Sequence, residues 1–364
     1  MVLLGSTPLC ADVLSFFNPD YSQNKSYATS FQTFIANDPV SVEALFNDWE
    51  GDFHPKDGTN LALESSRFDI GAVLKNNLYI GYTYRHDVFI SASHDLTVLN
   101  KLIKNKLDLP IDKNFDLSLD IEGFEAQGIV LAKEFTFTLN EESSLSVSLS
   151  TSFLYASNMQ DGTLSGVASV SSKKDYDFYA TSKYFYTHNY LYDLSVDRSY
   201  GLGFTTHMTL AYQYNDFSML FIANDIFGRI YWDNLPYSYV EMSSANKYYD
   251  KDGYVHYNPT IWGYETQENF VQELPLKLHV QASYIIVDKY AISAGMQYMY
   301  ETSLPFAELS YMPDDGELYY MSYESRFGST TLGMQYHNIS VSLSADKIIA
   351  PSSVGTQVSA FLNF

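Results

Sequence analysis

The feature that most constrains this chain is an alternation of period two, which begins at Arg67 and returns in segment after segment to the last residue. Phe68, Ile70, Ala72 and Leu74 alternate with Arg67 and Asp69, and after Lys75-Asn76-Asn77 the residues Leu78, Ile80, Tyr82 and Tyr84 alternate with Thr83 and Arg85. The clearest row is Tyr200, Leu202, Phe204, Thr206, Met208, Leu210, Tyr212 and Tyr214, with Gly, Thr, His207, Ala and Gln between. Period two is the signature of strands. An apolar row backed by a polar or charged one suits a sheet with hydrocarbon on one side and water on the other. After residue 12 no apolar run approaches the ~18 residues of a membrane helix, which excludes helical spans but not a barrel.

A chain of 364 residues can hold two soluble domains or one large closed sheet. Aromatics make up 16% of it, with 32 Tyr, where a soluble core would draw more on Leu and Ile, and the mean hydropathy is −0.16. The net charge of −22 argues against nucleic acid, whose phosphates need Lys and Arg, and fits acidic loops that keep a surface hydrated. Cys10 is the single cysteine. Residues 1–11 (MVLLGSTPLCA) read as a shortened secretion signal, an apolar core before a small-residue cleavage site without a basic leader. Thr7, Pro8 and Leu9 are poor neighbours for lipidation of Cys10, and its removal with the signal would leave no disulfide.

Residues 12–66 do not alternate and read as an N-terminal cap or plug. Asp38-Pro39 is a fair helix start, followed by Val42, Leu45, Phe46 and Trp49 on one face. This would be a short helix packed on the mouth of a barrel or inside it, with control of the lumen as its functional reading. Residues 67–364 form the barrel. Residues 87–114 interrupt it, and Asp95 could cap a helix bearing Leu96, Leu99, Leu102 and Ile103. Strands resume over 115–121 and 129–139, where Lys133 on the apolar face suggests a bulge, then 145–155, 164–170, 176–185, 200–214 and 217–232. After a gap come 276–286, 290–300, 304–311, 318–327, 330–336, 339–345 and 355–364.

The expectation is therefore all-β: a transmembrane antiparallel up-and-down barrel of about 16 strands, within roughly 12 to 18, plus a short N-terminal helix. Counting sides back from Phe364 puts the turns Asp288-Lys289 and Asn215-Asp216 in the periplasm and the stretch 233–274 outside, as barrels require. The same count puts the helix-bearing 87–114 segment in the periplasm, which fits badly.

In the terminal strand Thr356, Val358, Ala360, Leu362 and Phe364 share one face, opposite Gln357, Ser359 and Asn363, with Phe361 the apolar exception. A strand ending on an aromatic residue resembles the terminal strand of bacterial outer-membrane barrels, which the barrel-insertion machinery reads. NLALESSRFDIGA, LYIGYTYRHD, NDIFGRIYWDNLP and PFAELSY also look like segments of the broad TraF-like and FadL-like barrels. That resemblance implies a long barrel with an N-terminal hatch, in a group whose best-known members pass hydrophobic molecules. The Gly-rich, Asn-Pro-Ala-containing segment typical of fatty-acid transporters is absent, so fatty-acid uptake and its site residues do not carry over.

The eight His show no close zinc spacing, and there is no phosphate-binding Gly loop, EF-hand or nucleophile elbow, so no cofactor, metal or enzyme activity is expected. A barrel-wall hydrolase remains a distant third reading. By alternation Arg67, Asp69, Arg85, His207, Lys277, His279, Glu324 and Arg326 face the lumen, as a bracing network or a functional lining. Tyr248, Tyr249, Tyr254, Tyr257, Trp262 and Tyr264 stand in the stretch 233–274 among Asp250, Asp252, Glu265 and Glu268. They would form an interfacial girdle, or stack on sugars or on a hydrophobic or cationic ligand. Asp250-Lys251-Asp252-Gly253 is a turn rather than a calcium loop. The function expected is passive transport of a small solute, hydrophobic cargo being the narrower version. The alternative is a surface module binding through 233–274. Outer-membrane lipid and the insertion machinery are the expected partners.

Overall fold

The computed structural model describes residues 26–363 apart from 75–76, 189–198, 245, 258–259 and 314–315. The leader with Cys10, and residues 12–25 of the expected plug, lie outside the described residues. The strands are β1 (Ser26–Asn37), β2 (Thr59–Leu74), β3 (Leu78–Ser93), β4 (Asn114–Asn140), β5 (Ser143–Ser172), β6 (Asp175–Tyr186), β7 (Gly201–Tyr214), β8 (Phe217–Asn224) and β9 (Arg229–Ser243). They continue with β10 (Lys247–Tyr249), β11 (Val255–Tyr257), β12 (Thr260–Glu273), β13 (Lys277–Val287), β14 (Tyr290–Met299), β15 (Thr302–Tyr311), β16 (Glu317–Glu324), β17 (Thr330–Tyr336), β18 (Ile339–Ala345) and β19 (Ser353–Asn363). The helices are α1 (Val42–Phe46) and α2 (His94–Lys104).

One sheet takes seventeen of these strands. Fourteen close a ring, all antiparallel: β1 to β5, then β7, β8, β13 and onward through β19, which pairs back with β1. The other three, β6, β9 and β12, build upward from the ring beside the top of β5. The count of crossings falls inside the expected range.

Register explains the belt. Tyr284, Ile292, Leu309, Met321, Leu332 and Leu343 are successive cross-strand partners, so one apolar row runs outside the wall from β13 to β18. All six are 49–61% exposed. Tyr290, Tyr311 and Tyr319 flank that row on one side, with ring centroids 4.9 and 6.5 Å apart, and Tyr155 and Tyr200 stack at 5.7 Å on the other. An apolar band between aromatic girdles on a closed sheet is the build of bacterial outer-membrane barrels, and that membrane is where this protein resides. No described helix is long and apolar enough to cross a membrane.

The short turns gather at one end. A chain of backbone bonds circles that rim, from Asn77 to Glu134, Glu142 to Asn215, Asp216 to Ile285, Lys289 to Met312 and Asn338 to Phe361. This is the periplasmic end, and the long connections lie opposite. Inside it, Ala28, Val73, Tyr79, Val130, Ala132 and Phe361 form an apolar cluster, which accounts for Phe361 on the polar row. Gly71 and Gly81 leave room for the Tyr79 ring, since a Cβ at either position would overlap it.

Several expectations change. Residues 26–37 are wall, not plug: β1 closes the ring against β19 and β2, and β2 already begins at Thr59. The stretches 115–139 and 145–170 are one strand each, and the up-going strand near 217–232 breaks between β8 and β9. Those changes move the helix-bearing segment to the extracellular end, where α2 packs Leu99 against Phe115, Leu117, Ala168 and Val170 on the outer face of β4 and β5. The stretch 233–274 is mostly strand, β9 and β12 paired over their length with the small β10–β11 hairpin between. Ser93 rather than Asp95 caps α2, and Ser41 rather than Asp38 caps α1, whose Phe46 is 83% exposed. Lys133 sits in unbroken register opposite Leu149, its ammonium 5.8 Å from the Phe135 ring, so no bulge is needed.

Candidate functional site: a shut lumen beneath an aromatic vestibule

Arg85 on β3 and Asp225, just past β8, are separated along the wall by β4, β5 and β7, about 19 Å of arc at ~4.8 Å per strand. Their side chains nonetheless meet in a fork, Nη1 to Oδ1 at 2.7 Å and Nη2 to Oδ2 at 2.8 Å. The contact is a chord through the lumen. Arg85 also holds Asp87 at 2.8 Å, and Lys277 of β13 reaches Asp87 at 2.7 Å. Ser65 donates to Asp87 at 2.6 Å and Thr205 to Asp225 at 2.8 Å, so both carboxylates are closely satisfied. All four charged side chains are at most 8% exposed.

Asp225 reaches this place because the chain breaks there. Its φ of +61° ends β8, and Ile226 to Gly228 carry the strand sideways before β9 resumes. Phe34, Leu63, Leu220, Ile222, Met299, Tyr300 and Leu304 fill the cross-section beside the ions, with Phe89 stacked on Tyr300 at 4.6 Å. Among the described residues a cavity of about 20 Å³ lies here, lined by Gln32, Ser66, Arg67, Asn224 and the ionic side chains, with room for about one water. Below it the interior is hydroxyl-rich, with Ser148, Ser150, Ser152, Thr209, Ser218, Ser283 and Ser293 all buried.

Above the ions the inner face turns aromatic. Trp232 is opposite Gly201, one of the lumen-facing positions of β7, and its Nε1 donates to Gln272, whose amide donates to Gly123 O on β4. Even-numbered residues of β12 share that inner face with Gln272. They meet Tyr237, Tyr239 and Glu241 of β9 because one extra residue near Asp233 shifts the register there. The rings form a descending series. Trp262 lies 6.2 Å from Tyr239, Tyr239 5.5 Å from Tyr264 and Tyr264 6.2 Å from Tyr237. Phe185 of β6 is 4.7 Å from Tyr237 and 4.2 Å from Phe270, which packs onto the buried Trp232 and Leu235. Exposure falls along this path from 63% at Trp262 to 1% at Trp232.

Of the expected lumen residues, Arg85 and Lys277 join the ionic cluster, and Arg67 pairs with Asp69 at 2.8 Å just beneath it. His207 and His279 are fully buried, and His279 stacks on Phe306 at 5.4 Å with Nε2 3.2 Å from Gln281. Glu324 ends the inner-facing row of β16, opposite Phe306, and Arg326 lies in the turn just beyond it. They belong to the extracellular rim, where Arg326 forks onto Asp38 at 2.6 and 2.7 Å and Glu324 accepts from Phe327 N. The aromatic candidates divide. Trp262 and Tyr264 line the vestibule, whereas Tyr248, Tyr249 and Tyr254 sit on or beside the β10–β11 hairpin, which Tyr249 ties to Asp175 and Tyr254 to Lys106 O. The Tyr257 side chain lies outside the described residues.

Sequence reasoning missed Asp87, Asp225, Phe185 and Lys183. Asp87 extends the row Thr83-Arg85 by one step and was legible. Asp225 was not, since a left-handed residue at a strand break carries no period. No group of His, Cys, Asp and Glu suited to a metal occurs among the described residues.

No family model matches the chain and no curated protein matches it. Among solved structures it is similar to a deletion mutant of the monoaromatic hydrocarbon channel TodX, at 11% identity and a TM-score of 0.45, covering 96% of this chain and 92% of that one. The toluene transporter TodX of Pseudomonas putida follows at 11% and 0.40, with the same coverage. The outer-membrane protease OmpT of Escherichia coli stands at 10% and 0.25, covering 94% and 97%. Likenesses of this size carry no argument about function.

Proposed function

We propose that the protein is a gated outer-membrane channel for passive transport of a small solute, drawn in its shut state, and not an enzyme. The observation that carries this is the Arg85–Asp225 chord, with Lys277–Asp87 beside it, across the middle of the lumen. A bracing network needs only neighbouring strands, whereas these pairs span four and five strand steps of the ring as chords through the lumen. Buried ion pairs are weak stabilisers in general but serve well as switches between two arrangements. The aromatic series above them supplies a place where a solute with an apolar face collects before the gate yields, and in this the narrower expectation of hydrophobic cargo finds its support. The hydroxyl-rich interior below makes no continuous apolar tunnel.

Planar-bilayer recording tests the proposal. The wild type should be closed most of the time, and Asp225→Asn, which keeps the shape and weakens the fork, should raise the open probability at least tenfold. A barrel that stays silent in both forms fails as a channel. The second reading, a closed surface module that binds through the aromatic face, would then stand, supported by the same occluded lumen.

A further inference from the structure

The vestibule wall carries carboxylates among its rings. Even-numbered residues at the top of β4 share the face of Phe124, whose ring lies 5.2 Å from the Arg85 guanidinium. Glu122 is therefore an inner-face residue, and Asp161 of β5 is its direct register partner. Like charges directly opposite one another destabilise a sheet, and neither is ion-paired among the described residues. Glu241 accepts from Tyr239 Oη at 2.6 Å, and Glu268 occupies the same face of β12. Against these acids the aromatic rows set, among the described residues, the cation Lys183, which lies 5.9 Å from the Tyr239 ring.

We infer that the vestibule takes a small organic cation, an ammonium carried on an apolar body. This rests on the channel reading and names the class of solute. Ring faces attract cations through their quadrupole, and the attraction grows as water is excluded. A phenol whose proton is drawn toward Glu241 has a more electron-rich ring. The surrounding carboxylates add a negative potential, matched by the −22 charge of the whole chain, that raises the local concentration of cations and turns anions away. The chain uses the same chemistry at the gate, where Arg85 faces Phe124 and Lys277 lies 5.4 Å from Tyr300, each paired to an aspartate. A solute ammonium entering at Tyr239 and Glu241 meets the ring-and-carboxylate pairing that holds the gate's own cations. A neutral hydrocarbon would use the rings and gain nothing from the acids.

Choline and 3,3-dimethylbutan-1-ol test this, since they have one shape and differ in charge. Calorimetric titration of the full barrel in neutral detergent should show choline binding at least tenfold tighter than the alcohol, and weakening with added salt. Glu122→Gln/Asp161→Asn should cut the preference severalfold while its thermal midpoint holds or rises, because like-charge repulsion is relieved. Trp262→Ala should weaken choline as well. Equal affinity for the two probes, or a preference untouched by both variants, overturns the inference. If equal affinity accompanies a conducting Asp225→Asn barrel, the channel stands and only the solute class falls. If choline is preferred but no variant conducts, the cation site stands and the channel falls.

Discussion

Strands β16, β17 and β18 run for eight, seven and seven residues, whereas β4 and β5 run for 27 and 30. At ~3.3 Å per residue the first group spans roughly 23–26 Å and the second roughly 90–100 Å. The low wall stops where lipid stops. The tall wall obeys the same alternation inside the bilayer, with Leu149 and Phe153 outward and Ser148, Ser150 and Ser152 inward. Above it the pattern inverts. Phe115, Leu117, Ala168 and Val170 face outward but are buried under α2, and the inner face bears Glu122, Asp161 and the exposed rings. A register shift between Glu125 and Ala126 exchanges the two rows of β5 at the point where strand leaves membrane. Apolar residues therefore mark lipid on one wall and a helix-covered core on the other.

The sharpest way to break this comparison is at the gate, whose strands β3, β8 and β13 flank the tall wall. Arg85→Ala leaves Asp225 without its fork in a buried setting and should cost about 3–5 kcal/mol in urea unfolding, the usual penalty for orphaning a buried charge. A loss under 1 kcal/mol would mean that water already fills this level. Next, Leu332→Arg in the belt of the low wall should cost about 2–4 kcal/mol, while Gln267→Arg on the outer face of β12 should stay within about 0.5 kcal/mol. Equal costs would place β12 in lipid and erase the distinction between the walls.

The smallest effect concerns the hairpin that crowns the tall wall. Hydrogen bonds from Lys247 and Ser244 hold the Asp177 carboxyl below the usual 3.8. A carboxyl depressed on folding adds stability above its unfolded value and loses it as the pH falls through the folded one. Docking of β10–β11 should thus persist from neutral pH to about 4 and weaken below, read by amide exchange at Tyr249 and Val255. Lys247→Met should remove that pH dependence.

The same contrast explains what could be read from residues alone. Belt rows such as Leu332 and Leu343 were plain, because lipid on one side and water on the other force strict alternation. The turns at Asn215-Asp216 and Asp288-Lys289 were plain too. β1 was hidden because its rows are mixed. Thr29 and Thr33 face outward and Phe34 inward, since this strand helps to fill the lumen beside the gate. The top of β5 looked like a separate strand because the bulge swaps its faces, and β4 looked broken because Glu122 to Gly128 carries polar and Gly residues on both rows. Of the candidate site, Arg85 and Lys277 were on the right row, and Trp262 and Tyr264 were named as candidates but in a stretch read as loop. Their convergence was not visible, since it depends on Asp225, on the extra residue in β9, and on contacts between strands far apart in the chain.

The most direct test of a lumen gated at the Arg85–Asp225 chord is single-channel conductance of the charge exchange Arg85→Asp/Asp225→Arg beside its two single variants. The account predicts openings in each single variant and a return toward the closed wild-type trace when both charges are exchanged. A wild type that already conducts as freely as the single variants would contradict it.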